Sequence, residues 1–384
     1  MFSAIQSAFK KAILVMLLTG LMAPSPIGSS KKAQAASGMP DSSDFGFGAR
    51  LDIWGEEVAL AIHAAYGVGV EWIGVDFDWA KHWPDAATPI NLERLDQAME
   101  LAQASGLDVL LSITDTPAWA MGPDGPDQNQ TAGIVVMLAS RYPVSLLTIE
   151  LFPGANTIHG WGASPNPVAY AALLQSCQAS LQASGSSALL VAGGLSPLRV
   201  EASSGDMEDL AYLSGLYEAG AAAFMPILSL RLNRLEGEAM APPDPSASNV
   251  LRHYEAVRQV MLQYHHQYGI IWITGFTWPE EDGLSTSEEQ IRWLNRAYQL
   301  MKSQLYIGVA FIDRLNPASM DGQNNPADQT LISKDFQGTH LHPALEALGQ
   351  IISLNSTGHA SLQLFLYKKL TTGPEKSKMK HRQP

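Results

Sequence analysis

Short apolar runs alternate with amphipathic segments along most of the chain, and this alternation constrains the fold more than any other feature. Helical stretches such as "NLERLDQAMELAQASG" have apolar residues at helical spacing and a closing glycine. Repeated strand–helix units require a parallel sheet with right-handed crossovers. Eight runs have the length and composition of buried parallel strands: Phe45–Leu51, Trp72–Phe77, Asp108–Ile113, Leu146–Leu151, Leu189–Ala192, Ile227–Arg231, Ile270–Thr274 and Ile307–Ile312.

Eight such units predict an α/β protein with a single (β/α)8 TIM barrel over residues 45–355. An open doubly wound sheet is the alternative, and it favours a phosphate-binding glycine turn after the first strand. In "FGFGARLDIWG" the glycines lie inside the strand and form no G-x-G-x-x-G turn. Since chemistry in a TIM barrel lies at the C-terminal ends of the strands, function is to be sought at those eight positions.

The charge balance and the cysteine content exclude several functions. The chain has 384 residues and a formal net charge of −13, whereas nucleic-acid binding needs a concentrated basic face, so we predict no nucleic-acid partner. Cys177 is the one cysteine, so no intramolecular disulfide is expected. His265 and His266 are adjacent on a predicted helix and point in different directions. We predict neither a metal nor another cofactor.

Both ends of the chain differ from the barrel region. At the N-terminus, Lys10 and Lys11 precede an apolar run over residues 12–23 and then the small residues "AQA", which is the layout of a secretory signal peptide. We predict a signal peptide at residues 1–35, with an uncleaved anchor as the alternative, and a linker at 36–44. Residues 356–384 are basic and are predicted to form a flexible tail. The protein is therefore expected to be secreted or held at the cell envelope, with membrane attachment only if the anchor is retained.

Several segments also occur in an order that resembles a known group of enzymes. They include "GVEWIGVDFDWAKHWP", "LDQAMELAQASGLDVLLSITDTPAWA", "TIELFPGANTIHGWG", "IIWITGFTW" and "GVAFIDRL". In these segments the chain is similar to clan A glycoside hydrolases, and the nearest likeness is to family 39 members of the xylosidase type. The resemblance implies a (β/α)8 barrel, a carbohydrate partner and retaining O-glycosyl hydrolysis. It also implies two glutamates whose carboxyl groups stand about 5–5.5 Å apart.

The same resemblance indicates that both glutamates are missing. The strand-four motif of the family resembles E-I-W-N-E-P-N, with the second Glu as acid/base, and this chain reads "ELFPGAN", with Gly154 there. The strand-seven motif resembles W-I-T-E-F-G-W, and this chain reads "WITGFTW", with Gly275 at the nucleophile position. Gly74 stands where strand two of the family carries an arginine, and "RLN" (231–233) replaces a His-Pro-Tyr-like segment. Glycine has no titratable or nucleophilic group, so double displacement cannot occur at these positions.

Other carboxylates could take over the lost roles. The candidate substitutes are Glu150 in the fourth strand, Asp76 in the second strand and Asp115 after the third strand. Strand alternation places Glu150 on the same side as Gly154, towards the barrel interior. The alternative is that Glu150 is a structural acid paired with a residue such as Arg50, and that Asp115 forms a turn before the following proline.

Aromatic residues near the strand ends indicate a sugar-binding site, since aromatic side chains line ligand pockets and sugar rings stack on them. The alternative is that the tryptophans among these aromatic residues are large hydrophobes that cover the rim of the barrel. His82 and His159 lie on the same loops and are further polar candidates. We expect the ligand-binding residues to be Trp79, Trp119, Asn156, Trp161 and Trp278.

The sequence therefore favours a catalytically degenerate glycoside hydrolase-like barrel, a pseudo-glycosidase, which is exported and binds an oligo- or polysaccharide at its C-terminal face. One alternative is an active O-glycosyl hydrolase with relocated carboxylates, which needs two carboxyl groups facing one cleft. Another alternative is an envelope protein–protein interaction module, which needs a contiguous apolar patch on the barrel rim.

Overall fold

The computed structural model describes ten stretches of the chain. They are residues 45–142, 146–198, 204–232, 235, 238–242, 249–277, 287–313, 315–316, 331–335 and 338–355. The predicted signal peptide, linker and C-terminal tail lie outside the described residues, and so does Trp278.

Eight parallel strands close into a barrel, which confirms the predicted fold. Five of the strands run one to three residues beyond their predicted C-terminal ends. Around the barrel the order is first, eighth, seventh, sixth, fifth, fourth, third and second. The strands are β1 (Gly46–Leu51), β2 (Trp72–Asp78), β3 (Asp108–Thr114), β4 (Leu146–Leu151), β5 (Leu189–Leu195), β6 (Ile227–Leu232), β7 (Ile270–Phe276) and β8 (Ile307–Ile312).

Helices surround the barrel and cover the outward faces of its strands. Two are single turns that follow β2 and β4, and none of the described helices is both long and apolar enough to span a membrane. The helices are α1 (Val58–Gly67), α2 (Trp79–His82), α3 (Glu93–Ala104), α4 (Gln128–Arg141), α5 (Ile158–Trp161), α6 (Pro167–Ala183), α7 (Asp209–Glu218), α8 (His253–Gln263), α9 (Ser287–Lys302) and α10 (Pro343–Asn355).

Side-chain capping sets the start of two of the long helices. Asp127 precedes α4, and its carboxylate accepts hydrogen bonds from the amides of Asn129 and Gln130. Asn166 caps α6 in the same way, and Pro167 occupies the first helical position, where its missing N–H has no helical partner to lose.

The barrel interior changes from apolar to polar along the strands. A separate cluster inside the barrel consists of Leu110, Val191, Ile227, Ile270, Trp272, Val309 and Phe311, with Trp72 packed against it. Gly48 makes room for this cluster, because a Cβ atom there would lie 2.4 Å from the Phe311 ring. Nearer the C-terminal ends, the buried side chains include those of Arg50, Ser112 and Glu150. The apolar cluster thus forms a base on which a polar site is built.

Candidate functional site

The C-terminal mouth of the barrel contains a cavity of about 670 Å³. Its walls come from the C-terminal ends of β1, β2, β3 and β6 and from the segments that follow β1, β3, β4, β5, β7 and β8. Trp54 and His159 contribute rings to the lining. The charged lining consists of five aspartates and two arginines: Asp52, Asp76, Asp78, Asp115, Asp313, Arg50 and Arg231.

Two arginines and two aspartates form an ion-pair network in the floor of the cavity. Arg50 is buried and donates to Asp76 through Nη2 and to the carbonyl of Thr274 through Nη1 (2.9 Å). Arg231 also donates to Asp76, at 3.2 Å and 3.4 Å to its two oxygens. Asp313 also pairs with Arg50, with 3.7 Å between Oδ1 and Nε. The network therefore joins residues of β1, β2 and β6 and the residue after β8, which lie far apart in the sequence.

The network sets the protonation states of Asp76 and Arg231. Burial alone would raise the pKa of Asp76, but the charges of Arg231 and Arg50 and their hydrogen bonds outweigh it and lower that pKa. Burial would likewise lower the pKa of Arg231, but the negative charges of Asp76, Glu150 and Asp313 raise it. Asp76 is therefore ionised and Arg231 is positively charged at neutral pH.

Glu150 lies beneath this network and does not reach the cavity. Its carboxylate is fully buried and accepts hydrogen bonds from Ser112 Oγ (2.5 Å) and Thr274 Oγ1 (2.7 Å). Ser112 also accepts from Arg50 (3.3 Å), so Glu150 is linked to the arginine through a hydroxyl. In this arrangement Glu150 supports the floor of the site and is not presented to a ligand.

The two glycines singled out by the resemblance lie on or beside the cavity. Gly154 lines it, and its φ of +80° is strained for other residues. A Cβ atom at Gly154 would meet Ser196 Oγ at 3.3 Å and Thr157 Oγ1 at 3.4 Å. A Cβ atom at Gly275 would lie 2.8 Å and 2.9 Å from the two carboxylate oxygens of Asp313. The space in front of Gly275 is therefore filled by a carboxylate from the neighbouring strand end.

Asp78 is the last residue of β2, Asp115 follows β3, and both line the rim of the cavity. Asp78 caps α2 by accepting from the amide of Lys81 (2.8 Å). Burial raises the pKa of Asp78, the hydrogen bond from Lys81 opposes this, and the negative charge of Asp115 adds to the increase. Asp115 is exposed, lines the cavity and has a φ of +49°. Strained backbone of this kind clusters at functional sites.

Three of the residues predicted to contact a ligand are buried instead. Trp79 is fully buried, and its ring packs edge-on against Trp119 at 5.7 Å. Trp161 is 1% exposed, and its Nε1 donates to the carbonyl of Asp124 (2.8 Å). Asn156 is buried and ties two loops together through the carbonyls of Ser196 and Met207. The corresponding distances are 2.9 Å each. The single-turn helices α2 and α5 direct the two tryptophan rings inward, and hydrogen bonds to the backbone hold Asn156 inside, so the structure does not present these three side chains to a ligand.

The other ring residues divide between the core and the cavity. Trp119 is half-buried and donates to the carbonyl of Trp83 (3.0 Å), and it is not part of the cavity lining. His82 is buried and stacks on Phe77, and burial lowers its pKa. His159 is exposed and lines the cavity.

Several lining residues were not predicted as site residues from the sequence, among them Arg50, Arg231, Asp313 and Trp54. Arg50, Arg231 and Asp313 lie in or directly after barrel strands, and their positions at C-terminal strand ends were a signal that could have identified them. Trp54 follows β1, and the Nζ atom of Lys81 lies 4.3 Å from its ring centroid. Trp54 is the aromatic ring with which the described cavity could contact an apolar ligand face.

No protein-family model and no curated protein sequence matches the chain. Solved structures are similar in fold. One is a family 39 glycoside hydrolase from the gut symbiont Bacteroides cellulosilyticus WH2, with a TM-score of 0.57 and 17% identity. That match covers 83% of this chain and 65% of the other, so the chain spans less than two thirds of that protein.

Two further structures support the same fold. A GH5_18 protein from Streptomyces cattleya, solved in complex with GlcNAc, has a TM-score of 0.57 and 12% identity over 80% of each chain. A family 1 β-glucosidase from Thermotoga maritima has a TM-score of 0.54 and 10% identity over 82% of this chain and 98% of the other. At these identities the likeness shows the fold alone, which is a glycoside hydrolase-like (β/α)8 barrel.

Proposed function

We propose that the protein is an exported glycoside hydrolase-like barrel that binds an oligo- or polysaccharide in the cavity at its C-terminal mouth. The cavity carries this proposal. Its volume of about 670 Å³ is in the range of ligand sites, and it lies where TIM barrels bind ligands. Carboxylates and guanidinium groups converge on it beside the ring of Trp54, which suits a ligand with many hydroxyls and an apolar face.

The glycines at the two catalytic positions that the resemblance identifies support the proposal that the catalytic groups of the family are lost there. Gly154 and Gly275 offer neither a proton donor nor a nucleophile. A longer side chain at Gly275 would have to displace Asp313 and Arg231, which would lie 2.8 Å and 3.1 Å from its Cβ atom. Hydrolysis with a glutamate pair at these two positions is therefore not part of the proposed function.

The polar character of the mouth favours a glycan over a protein partner. A protein-interaction module would need a contiguous apolar patch at the rim. The described rim instead presents Asp52, Asp78 and Asp115 around one opening.

Export rests on the sequence of residues 1–35. We expect the mature protein outside the cytoplasm to begin near residue 36. Mass spectrometry of the N-terminus of protein recovered from the culture medium and from the envelope tests this, and an intact N-terminus in the cytoplasmic fraction would contradict it.

Calorimetric titration of the full chain with soluble oligosaccharides tests binding. Suitable probes are xylo-, cello-, manno- and N-acetylglucosamine oligomers. We expect saturable binding of at least one of them, weakened about tenfold by Trp54→Ala, because an aromatic contact in a desolvated pocket carries much of the binding energy. Glu100→Gln removes an exposed charge from α3, outside the cavity lining, and is the matched control. Absence of binding for every oligosaccharide class would overturn the proposal.

A further inference from the structure

The charges in the floor of the cavity balance one another. Arg50 and Arg231 both donate hydrogen bonds to Asp76, and Asp313 also pairs with Arg50. Two guanidinium groups therefore face two carboxylates. The side chains of Arg50 and Arg231 are only 6% and 16% exposed, so an anionic ligand would reach them only by breaking these pairs. Within the described part of the cavity, the floor holds its positive charges for its own carboxylates.

The rim of the same cavity carries an excess of negative charge. Asp52, Asp78 and Asp115, the rim aspartates, line it, and none of them forms a salt bridge with a residue that the structure describes. Asp52 and Asp78 accept hydrogen bonds from the backbone amides of Trp54 and Lys81, both at 2.8 Å, and an amide carries no formal charge. Three like charges at one opening attract a cation and repel an anion.

The ring of Trp54 stands among these carboxylates and already contacts an ammonium group. The Nζ atom of Lys81 lies 4.3 Å from the ring centroid, which is a cation–π contact. Short backbone contacts link this pair to the rim: the amide of Trp54 reaches Asp52, and the amide of Ala80 donates to the carbonyl of Asp115 (2.7 Å). Lys81 is exposed and does not line the cavity, so a ligand ammonium can replace it on the ring.

Two of the rim aspartates also affect each other electrostatically. Burial raises the pKa of Asp78, the hydrogen bond from the Lys81 amide opposes this, and the charge of Asp115 adds to the increase. A positive group beside both carboxylates offsets their repulsion, so the binding of a cation and the ionisation of Asp78 favour each other.

Building on the proposed carbohydrate binding, we infer that the ligand is a glycan with free amino groups, whose ammonium groups bind to the rim aspartates and to the ring of Trp54. An oligosaccharide of deacetylated hexosamines has this chemistry. Asp76 and Asp313 line the floor and can accept hydrogen bonds from the hydroxyl groups of the same ligand. A neutral glycan leaves the rim charges uncompensated, and a uronic acid adds another negative charge to them. The inference rests on the proposed function, because it names the class of glycan that the same cavity takes.

Calorimetric titration of the full chain with a glucosamine oligomer, and with the N-acetylglucosamine oligomer of equal length, tests the inference. The acetyl groups remove the positive charges and keep the sugar backbone. At about pH 6 most amines of this kind are protonated. We expect the glucosamine oligomer to bind at least about tenfold more tightly in about 0.1 M salt, and this preference to shrink in about 1 M salt, because the Debye length falls from about 10 Å to about 3 Å.

Charge-changing variants locate the contact. Asp115→Asn removes one rim charge, and asparagine tolerates the φ of +49° at this position. We expect it to weaken binding of the glucosamine oligomer about two- to fivefold, the usual worth of one exposed ion pair, and to leave binding of the N-acetyl oligomer unchanged. Lys81→Met should strengthen binding of the glucosamine oligomer by a similar factor, because it frees the ring of Trp54 from a competing ammonium.

Glu100→Gln is the matched control, because it changes the net charge of the protein as Asp115→Asn does but lies outside the cavity lining. It should leave the affinity for both oligomers unchanged. Urea unfolding checks that all three variants are folded. Pentalysine is the matched ligand control, since it carries positive charges without a sugar.

The outcomes separate this inference from the proposed function. Equal or tighter binding of a neutral oligosaccharide overturns the inference and leaves carbohydrate binding standing. Pentalysine binding as tight as that of the glucosamine oligomer, or an equal loss of affinity in Asp115→Asn and Glu100→Gln, shows attraction to the acidic protein as a whole and also overturns it. Absence of binding for the glucosamine oligomer and for every neutral oligosaccharide overturns both proposals.

Discussion

Gly275→Ala is the substitution that most directly tests whether Asp313 fills the space in front of β7. The added methyl group would lie 2.8 Å and 2.9 Å from the carboxylate oxygens of Asp313, and 3.1 Å from Nε of Arg231. Ordinary contacts begin at 3.4 Å, so the neighbours must retreat by about half an ångström. Both neighbours belong to the ion-pair network of the floor, so the retreat weakens charged contacts as well.

We expect this change to lower the free energy of unfolding by about 1–3 kcal/mol, the usual cost of overpacking a buried site. Urea unfolding followed by tryptophan fluorescence measures it as a lower midpoint with an unchanged slope. Gly133→Ala is the matched control. Gly133 lies in the middle of α4, and a Cβ atom there meets nothing within 4 Å. The control should raise the free energy of unfolding by about 0.5–1 kcal/mol, because alanine is the better helix former.

A double-mutant cycle assigns the cost to its cause. In the Asp313→Ala background the obstructing carboxylate is gone, so Gly275→Ala should cost about 1 kcal/mol less than in the unmodified protein. An equal cost in both backgrounds, or no cost in either, would refute the claim that Asp313 occupies this space.

Three further predictions concern the same network and the core. Arg50→Met should lower the free energy of unfolding by about 1–3 kcal/mol in urea titrations, because it removes the hydrogen bonds that Arg50 donates to Asp76 and to the carbonyl of Thr274; an unchanged midpoint would contradict this. The pKa of Asp76 in the folded protein is lower than its ordinary value of 3.8. Ionised Asp76 therefore stabilises the fold above pH 3.8, and this stabilisation is lost as the pH falls through the lowered pKa of the folded protein. Unfolding midpoints measured below about pH 4 should therefore fall less steeply in Asp76→Asn than in the unmodified protein. Burial raises the pKa of Cys177 to about 12, so a thiol reagent at pH 8 should react with it only in urea; rapid labelling of the native protein would show that the helix α6 packs differently.

The sequence was sufficient for the barrel because the signals that specify it are local. Each strand appears as an apolar run and each helix as a 3.6-residue period, so the eight strands could be located within one to three residues of their observed ends. The rule that chemistry lies at C-terminal strand ends also directed attention to the barrel mouth, where the structure has the cavity. The resemblance identified Gly154 and Gly275 from short motifs, without knowledge of what lies opposite them.

The side-chain partners in the site depended on tertiary structure, because they lie far apart in sequence. Arg50 meets Asp313 across more than 260 positions, and only the closure of β1 against β8 brings them together. The sequence could not show which way the rings of the loop tryptophans face, for a related reason. A tryptophan after a strand looks the same whether its ring faces a ligand or the core, and the single-turn helices α2 and α5 direct Trp79 and Trp161 into the core. Local periodicity therefore determined the fold, whereas barrel closure and loop packing decided which charges and which aromatic rings face the cavity.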